Sequence, residues 1–349
     1  MYDLSPRRGL FRFIAQAIAV IFGLSAGQHL SAQGVLYITE SQGTGSVVAY
    51  NLSNSQLYMP SSALSTTNFS SFFFDSVSTD SSGNVYLAYT QNGSVNLQKF
   101  NSAGALVTGF GTGGTAVLPG NVIVTSSAVN PSGTQILLPF NASINQVGSY
   151  STSTGAATGG FTPIVLVNPQ AVTFNPSGTF FYATVSSGSL GGSTITQYAT
   201  TGGTGTAITY ASGGYFGNGF DNAKGLLFQT DSSFLVASSS QGALERYTLS
   251  GTVATLDATF GTNGAVIVSG LNGGIAADGS GNLYVSTSSS IVELSANGTI
   301  LNSSFITGLS NTPTRLAIGI AAIPEPDTVA LLAVGLVSVG VAGFRRRRR

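Results

Sequence analysis

The side chains able to do chemistry are few in this chain of 349 residues. It contains no cysteine and a single histidine, His29, which lies beside an apolar N-terminal run. Thiolate nucleophiles, Ser-His-Asp triads and the usual zinc ligand sets are therefore excluded from the rest of the sequence. Carboxylates, amides and hydroxyls remain, and in proteins these groups suit Ca²⁺ or Mg²⁺.

Four polar or charged residues fall at matching places in a repeated pattern. Asp75, Gln170 and Lys224 lie eight residues before a turn glycine or its equivalent, and Arg315 lies in the corresponding part of the last repeat. If each marks the start of an innermost strand, the four side chains surround one end of a central axis. One acid among four residues is a poor ligand set for a divalent ion. Three interpretations remain: a catalytic metal site with this incomplete ligand set, a ring that binds a small or saccharide ligand, and a simply solvated channel mouth.

Short β-strands must position these residues. Turn sequences recur before β-rich runs, at residues 80–84, 175–179 and 278–282. An independent series of large residues closes the third strand of each repeat, with residue numbers that differ by 50, 50, 48, 49 and 47: Tyr50, Phe100, Tyr150, Tyr198, Tyr247 and Leu294. About four strands in roughly 40 to 50 residues is the pattern of a β-propeller blade. The sequence therefore predicts an all-β fold, a six-bladed β-propeller over residues 33–322.

The two ends of this region are complementary. Residues 34–38 begin the first repeat without an innermost strand before them, and residues 315–318 have the pattern of that missing strand. We expect terminal strands to close one blade, which removes exposed sheet edges. Between Gln33 and Ile323 four basic residues face nine acidic ones, a net charge of −5. Nucleic-acid binding is not expected, because it needs a basic surface.

Both chain termini have the composition of export signals. Three arginines, Arg7, Arg8 and Arg12, precede an apolar run at 13–24 and then small residues, as in a secretory signal peptide, which we place at residues 1–32. Near the other end, residues 329–344 carry no charge and span roughly 24 Å as a helix. Five arginines at 345–349 follow, and they favour a single transmembrane helix with its basic tail in the cytoplasm.

The tripeptide Pro324, Glu325 and Pro326 stands directly before that apolar segment. Together with the helix and the arginines it resembles the PEP-CTERM sorting signal, which we place at residues 323–349. The resemblance implies that these three residues are recognised by a membrane-embedded exosortase, which releases or re-anchors the protein at the cell surface. Signal peptidase is the expected partner at the N-terminus.

Parts of the repeats also resemble known propellers. Residues 256–266 (LDATFGTNGAV) and 110–114 (FGTGG) are similar to delta-sixty repeats, and residues 278–285 (DGSGNLYV) to NHL and lactonase-like repeats. These resemblances imply the fold more than an activity.

The sequence leads to one main functional hypothesis and one alternative. The first is an exported, exosortase-processed surface or matrix protein whose propeller is a binding or structural module associated with exopolysaccharide, with no catalytic residue, metal or cofactor. The alternative is a secreted, calcium-dependent lactonase or hydrolase with Asp75 among its ligands.

Overall fold

A computed structural model describes residues 34–41, 46–57, 73–91, 94–118, 120, 122–185, 193–211 and 222–320. The predicted signal peptide (residues 1–32) and sorting segment (323–349) lie outside the described residues. So does the side chain of Asp75, although its backbone belongs to a described strand.

The described strands form six sheets. The first sheet contains β1 (Gly34–Ser41) and β2 (Ser46–Asn51), and the second contains β3 (Phe73–Thr79), β4 (Val85–Gln91), β5 (Ser94–Phe100) and β6 (Thr115–Val117). The third contains β7 (Val122–Val124), β8 (Ala128–Val129), β9 (Gln135–Ala142), β10 (Gln146–Ser151) and β11 (Ile164–Val165), and the fourth contains β12 (Pro169–Phe174), β13 (Phe180–Val185), β14 (Thr194–Ala199) and β15 (Thr206–Ala207). The fifth contains β16 (Thr209–Tyr210), β17 (Ala223–Thr230), β18 (Ser233–Ser238), β19 (Ala243–Ser250), β20 (Val253–Leu256) and β21 (Ala265–Ile267). The sixth contains β22 (Ile275–Ala277), β23 (Leu283–Ser286), β24 (Ile291–Leu294) and β25 (Ile300–Ile306), and β26 (Thr312–Ile320) returns to the first.

These six sheets are the blades of a closed propeller, as the sequence predicts. Strand β26 pairs antiparallel with β1, from Gly34 opposite Ile320 to Ser41 opposite Thr312, and is the innermost strand of blade 1. The innermost strands of neighbouring blades contact each other around the whole ring, β26 with β3 and β22 included. The first and last described strands therefore close one blade together.

The hydrophobic core lies between adjacent blades. Strand β4 is buried along five consecutive residues because both faces of its sheet are covered. Phe100, Tyr150, Tyr198 and Tyr247, from the series of large residues, are all at most 7% exposed. Their spacing by blade reflects packing between sheets, which is the main source of stability in such a ring.

Aspartates template two of the turns between the first and second strands. Asp80 accepts hydrogen bonds from the amides of Ser82 and Asn84, each at 2.9 Å, and Asp278 does the same for Ser280 and Asn282. Asp231 differs, because its carboxylate accepts the amide of Ser177 in the preceding blade at 2.9 Å.

The innermost strand of blade 3 departs from the regular pattern. It is divided into β7 and β8, which both pair with β9. Pro139 of β9 lies opposite the break and has no amide hydrogen to donate to the ladder. The amide of Thr125, between the two pieces, still donates to the carbonyl of Pro139 at 3.3 Å, but the carbonyl of Thr125 has no amide of Pro139 to accept from.

Candidate functional site

The innermost strands enclose a central channel with a cavity of about 240 Å³. All six blades contribute to its lining, through residues 76–79, 126–128, 171–173, 224–227, 273, 275–277 and 315–318. Serine and threonine side chains dominate the polar part of this surface. Lys224 and Arg315 are the charged residues of the described lining.

Irregular pairing recurs in these strands at one level of the channel. The register shifts between Phe74 and Ser76 in blade 2, between Pro169 and Ala171 in blade 4, and between Ala223 and Gly225 in blade 5. Each shift leaves one residue out of the ladder, and those residues are Asp75, Gln170 and Lys224. A bulge turns a backbone carbonyl away from the neighbouring strand. The positions predicted from the turn spacing are therefore bulged residues that encircle the axis.

Arg315 extends across this level of the channel from the closing strand. Its Nε donates to the carbonyl oxygen of Thr125 at 2.5 Å, Nη1 to that of Lys224 at 2.6 Å and Nη2 to that of Gln170 at 3.2 Å. One guanidinium thus connects blade 1 with blades 3, 4 and 5. Three fixed N–H directions match three carbonyls from separate strands, which a lysine ammonium on a flexible stem would not reproduce.

The closing strand fixes the base of the Arg315 side chain. Its amide donates to Oγ1 of Thr39 at 3.1 Å, and Oγ1 of Thr314 donates to the carbonyl of Thr39 at 3.2 Å. Thr314 is itself the extra residue of a bulge, since Thr39 pairs with Arg315 and Glu40 with Pro313. The side chain is therefore directed by two blade 1 strands before it reaches the opposite side of the channel.

Lys224 contributes its carbonyl to Arg315 and leaves its ammonium half-buried nearby. Burial, and then the positive charge of Arg315, lowers the pKa of this ammonium below its usual value. Gln170 likewise acts through its backbone, while its side-chain amide donates to Oδ1 of Asn168 at 2.9 Å. The structure thus brings Gln170, Lys224 and Arg315 together, through main-chain rather than side-chain contacts.

Glycine allows blades 5 and 6 to meet at this point. Gly273 has φ +98°, and a Cβ there would lie 2.5 Å from Cβ of Lys224. Any side chain at position 273 would separate the two strands. No sequence motif marks Thr125 or Gly273 for these backbone contacts.

No group of three His, Cys, Asp or Glu side chains able to hold a metal occurs among the described residues. The described part of the chain also contains no helix with the length and apolarity needed to cross a membrane. Pro324, Glu325 and Pro326 belong to the segment outside the description.

The fold and the channel define the class of this protein, an all-β propeller of six blades. Solved structures agree at the level of fold: a chain of a nidogen/laminin complex has a TM-score of 0.56 at 13% identity, covering 83% of this chain and 100% of that one. A protein of unknown function from Bacteroides caccae has a TM-score of 0.57 at 11% identity, covering 83% and 99%. A gluconolactonase from Xanthomonas campestris has a TM-score of 0.46 at 11% identity, covering 69% and 80%.

A sorting motif follows the propeller in the sequence. Residues 322–349 match the PEP-CTERM protein-sorting motif. The chain is thus an exported propeller with a C-terminal PEP-CTERM sorting domain, a motif that implies an anchor in the membrane and sorting by an exosortase. No curated protein sequence matches the chain at a significant level.

Proposed function

We propose that this protein is a binding or structural module of an exopolysaccharide layer, held at the cell surface or in the extracellular matrix after processing by exosortase. The observation that carries the proposal is the sorting motif at residues 322–349, which begins two residues after the last strand of the propeller. A ring closed by the pairing of β26 with β1 suits a surface module that must survive outside the cell, because its blades have only short outer edges.

The proposal includes no catalytic role for the channel. Arg315 supports this, because three carbonyl oxygens engage its guanidinium at the level where the bulged residues converge. An arginine held in this way stabilises the ring, and its N–H groups are engaged by main-chain carbonyls.

The alternative, a calcium-dependent lactonase or hydrolase with Asp75 among its ligands, has only a likeness of fold in its favour. Calorimetric titration of the protein with Ca²⁺ distinguishes the two. Saturable binding that is lost in Asp75→Ala would favour the enzyme, whereas no heat of binding supports the structural module.

Deletion of Pro324, Glu325 and Pro326 tests the sorting step. We expect the deleted chain to keep its apolar C-terminal segment and to accumulate in the inner membrane fraction, unprocessed. Normal processing and unchanged localisation of the deletion variant would contradict the assignment.

Association with polysaccharide is tested separately. We expect the wild-type protein to be recovered with the extracted polysaccharide layer, and to appear free in the medium of a strain unable to make that layer. Equal distribution in the two strains would exclude the association and leave the sorting step intact.

A further inference from the structure

A groove of about 410 Å³ lies between the outer parts of blades 3 and 4, away from the channel. Its lining consists of Thr134, Gln135, Ser151, Thr154, residues 156–161, Thr200 and Thr201. None of these residues is charged, and the volume is within the range of small-molecule sites, about 300–1,000 Å³.

Two equivalent joints of the ring are sealed, those between blades 2 and 3 and between blades 5 and 6. At the joint between blades 2 and 3, Phe110 is fully buried, and a Cβ on Gly155 would lie 3.0 Å from its Cζ. At the joint between blades 5 and 6, Phe260 is also fully buried, and a Cβ on Gly298 would lie 2.9 Å from its Cε2. In both cases a glycine turn of the next blade covers the ring.

Backbone hydrogen bonds identify Phe161 as the corresponding residue of blade 3. The residue after each phenylalanine donates its amide to a carbonyl in a turn of the next blade. Gly111 donates to Thr154, Gly261 donates to Asn297, and Thr162 donates to Thr201. Phe161 nevertheless remains partly exposed and lines the groove. Blade 3 goes directly from Thr162 to Pro163 and β11, whereas the other two blades insert a glycine-containing turn before their last strand.

A second difference accounts for the open space. At the sealed joints a long cation precedes the large residue that ends the third strand. Lys99 donates to the carbonyl of Thr152 at 3.0 Å, and Arg246 donates to that of Ala296 at 2.9 Å, with its guanidinium 4.8 Å from the Phe260 centroid. Blade 3 has Ser149 at this position, too short to reach blade 4.

Gln135 makes the connection between blades 3 and 4 instead and forms part of the groove. Its Nε2 donates to Oγ of Ser149 at 2.7 Å and to the carbonyl of Thr200 at 3.1 Å. The residue is 7% exposed and belongs to the groove lining, so its side-chain amide adds an acceptor oxygen, Oε1, to this surface.

We infer that this groove binds a neutral saccharide unit. An amide acceptor, threonine and serine hydroxyls and a partly exposed phenylalanine complement a molecule that carries hydroxyls on an otherwise C–H surface. The absence of charge in the lining disfavours sugar acids and phosphates, which would lose hydration without a compensating cation. The inference rests on the proposed role in a polysaccharide layer and names the part of the molecule that makes the contact.

Closing the groove tests the inference. Ser149→Lys introduces the cation found at the sealed joints, and we expect it to weaken binding of maltotetraose or cellotetraose to the full-length protein, purified in detergent, at least tenfold in calorimetry. Thr248→Lys, an exposed site in blade 5, adds the same charge elsewhere and should leave binding unchanged. Binding of neither tetrasaccharide by the wild type, or equal binding by Ser149→Lys, overturns the inference.

A reporter variant keeps the test valid if Ser149→Lys does not fold. The chain has no tryptophan, so Thr201→Trp places a single indole at the exposed rim of the groove. We expect its fluorescence to change saturably with a neutral tetrasaccharide but not with tetragalacturonate. An equal response to both, or to neither, contradicts a neutral saccharide site.

Experiments in cells separate this inference from the proposed function. If wild type and Ser149→Lys are both retained in the polysaccharide layer, the groove is not the contact and the function stands. If the wild type is not retained there, the function itself fails.

Discussion

Replacing Arg315 by methionine tests the role assigned to the centre of the channel. The substitution keeps a long, unbranched side chain but removes the three hydrogen bonds to the carbonyls of Thr125, Gln170 and Lys224. These carbonyls lie on bulged or interrupted strands and have no ladder partner at that position to replace the guanidinium. The variant therefore loses contacts between blade 1 and three other blades.

The size of the effect follows from the geometry. A hydrogen bond to a charged group contributes about 1.5–3 kcal/mol, and Arg315 is half-buried, so the lower end applies to the two short bonds and less to the bond at 3.2 Å. Water entering the channel recovers part of the loss. We expect the free energy of unfolding to fall by about 3 kcal/mol, equivalent to roughly 5 °C in Tm for a domain of this size.

Denaturant titration followed by far-ultraviolet circular dichroism measures this change. Lys224→Met is the matched control, because it removes the neighbouring positive charge but leaves the carbonyl that Arg315 binds. Since burial and Arg315 both disfavour the Lys224 ammonium, we expect this control to be neutral or slightly stabilising.

The two variants together decide the question. A loss below about 1 kcal/mol in Arg315→Met, or an equal loss in Lys224→Met, would contradict the claim that the guanidinium connects the blades. A change in the slope of the denaturation curve would indicate that the ring opens partially before it unfolds.

Three further predictions concern the blades themselves. Burial raises the pKa of Tyr150 to about 12, so the neutral phenol stabilises the fold below pH 10. This contribution is lost as the pH rises from 10 to about 12. We therefore expect the free energy of unfolding of Tyr150→Phe to depend less on pH across that window. Arg246→Met removes the 2.8 Å ion pair with Asp257 and a bond to blade 6, and denaturation should show a loss of about 1–2 kcal/mol, with no loss in an exposed control such as Thr248→Met. Asp278→Ala leaves two turn amides without their acceptor and should cost about 1–2 kcal/mol in the same assay, whereas stability equal to wild type would show that the turn glycines alone suffice.

The repeat period made the fold predictable from the sequence. Turn glycines and large residues recur at fixed spacing, so they give a common frame in which Gln170 and Lys224 fall at the same place in different blades. The absence of an innermost strand before Gly34 also located its replacement near Arg315. Both inferences need only alternation and spacing, which the sequence states directly.

The chemistry at the axis could not be predicted in the same way. A β-bulge shifts one residue out of register without a required residue type, so nothing in the sequence showed that Gln170 and Lys224 would contribute carbonyls rather than side chains. The sequence suggested a ring of four side chains around the axis. Among the described side chains, that of Arg315 contacts three backbones, while the side chain of Asp75 lies outside the description and its place in the ring stays a prediction.

The sequence contains the residue difference that opens the groove, but the difference can be interpreted only with the fold. The residue before each large strand-ending residue is Lys99 in blade 2, Arg246 in blade 5 and Ser149 in blade 3. The two cations donate hydrogen bonds to the following blade, and this contact shows that the serine leaves the corresponding space open. Comparing the same position in different blades of one chain thus locates a candidate site.

The pairing of Gly34 with Ile320 has a consequence for how the chain acquires its shape during export. A polypeptide that emerges from its N-terminus presents β1 long before β26 exists beside it, and closure must wait for contacts between distant parts of the sequence, which slows folding. Until then one side of β1 has unpaired amides and carbonyls, a template for association with other chains. Arg315 lies in the same last strand, so the strand that closes the ring and the side chain that connects its blades are translated together. Both come just before the sorting motif in the sequence.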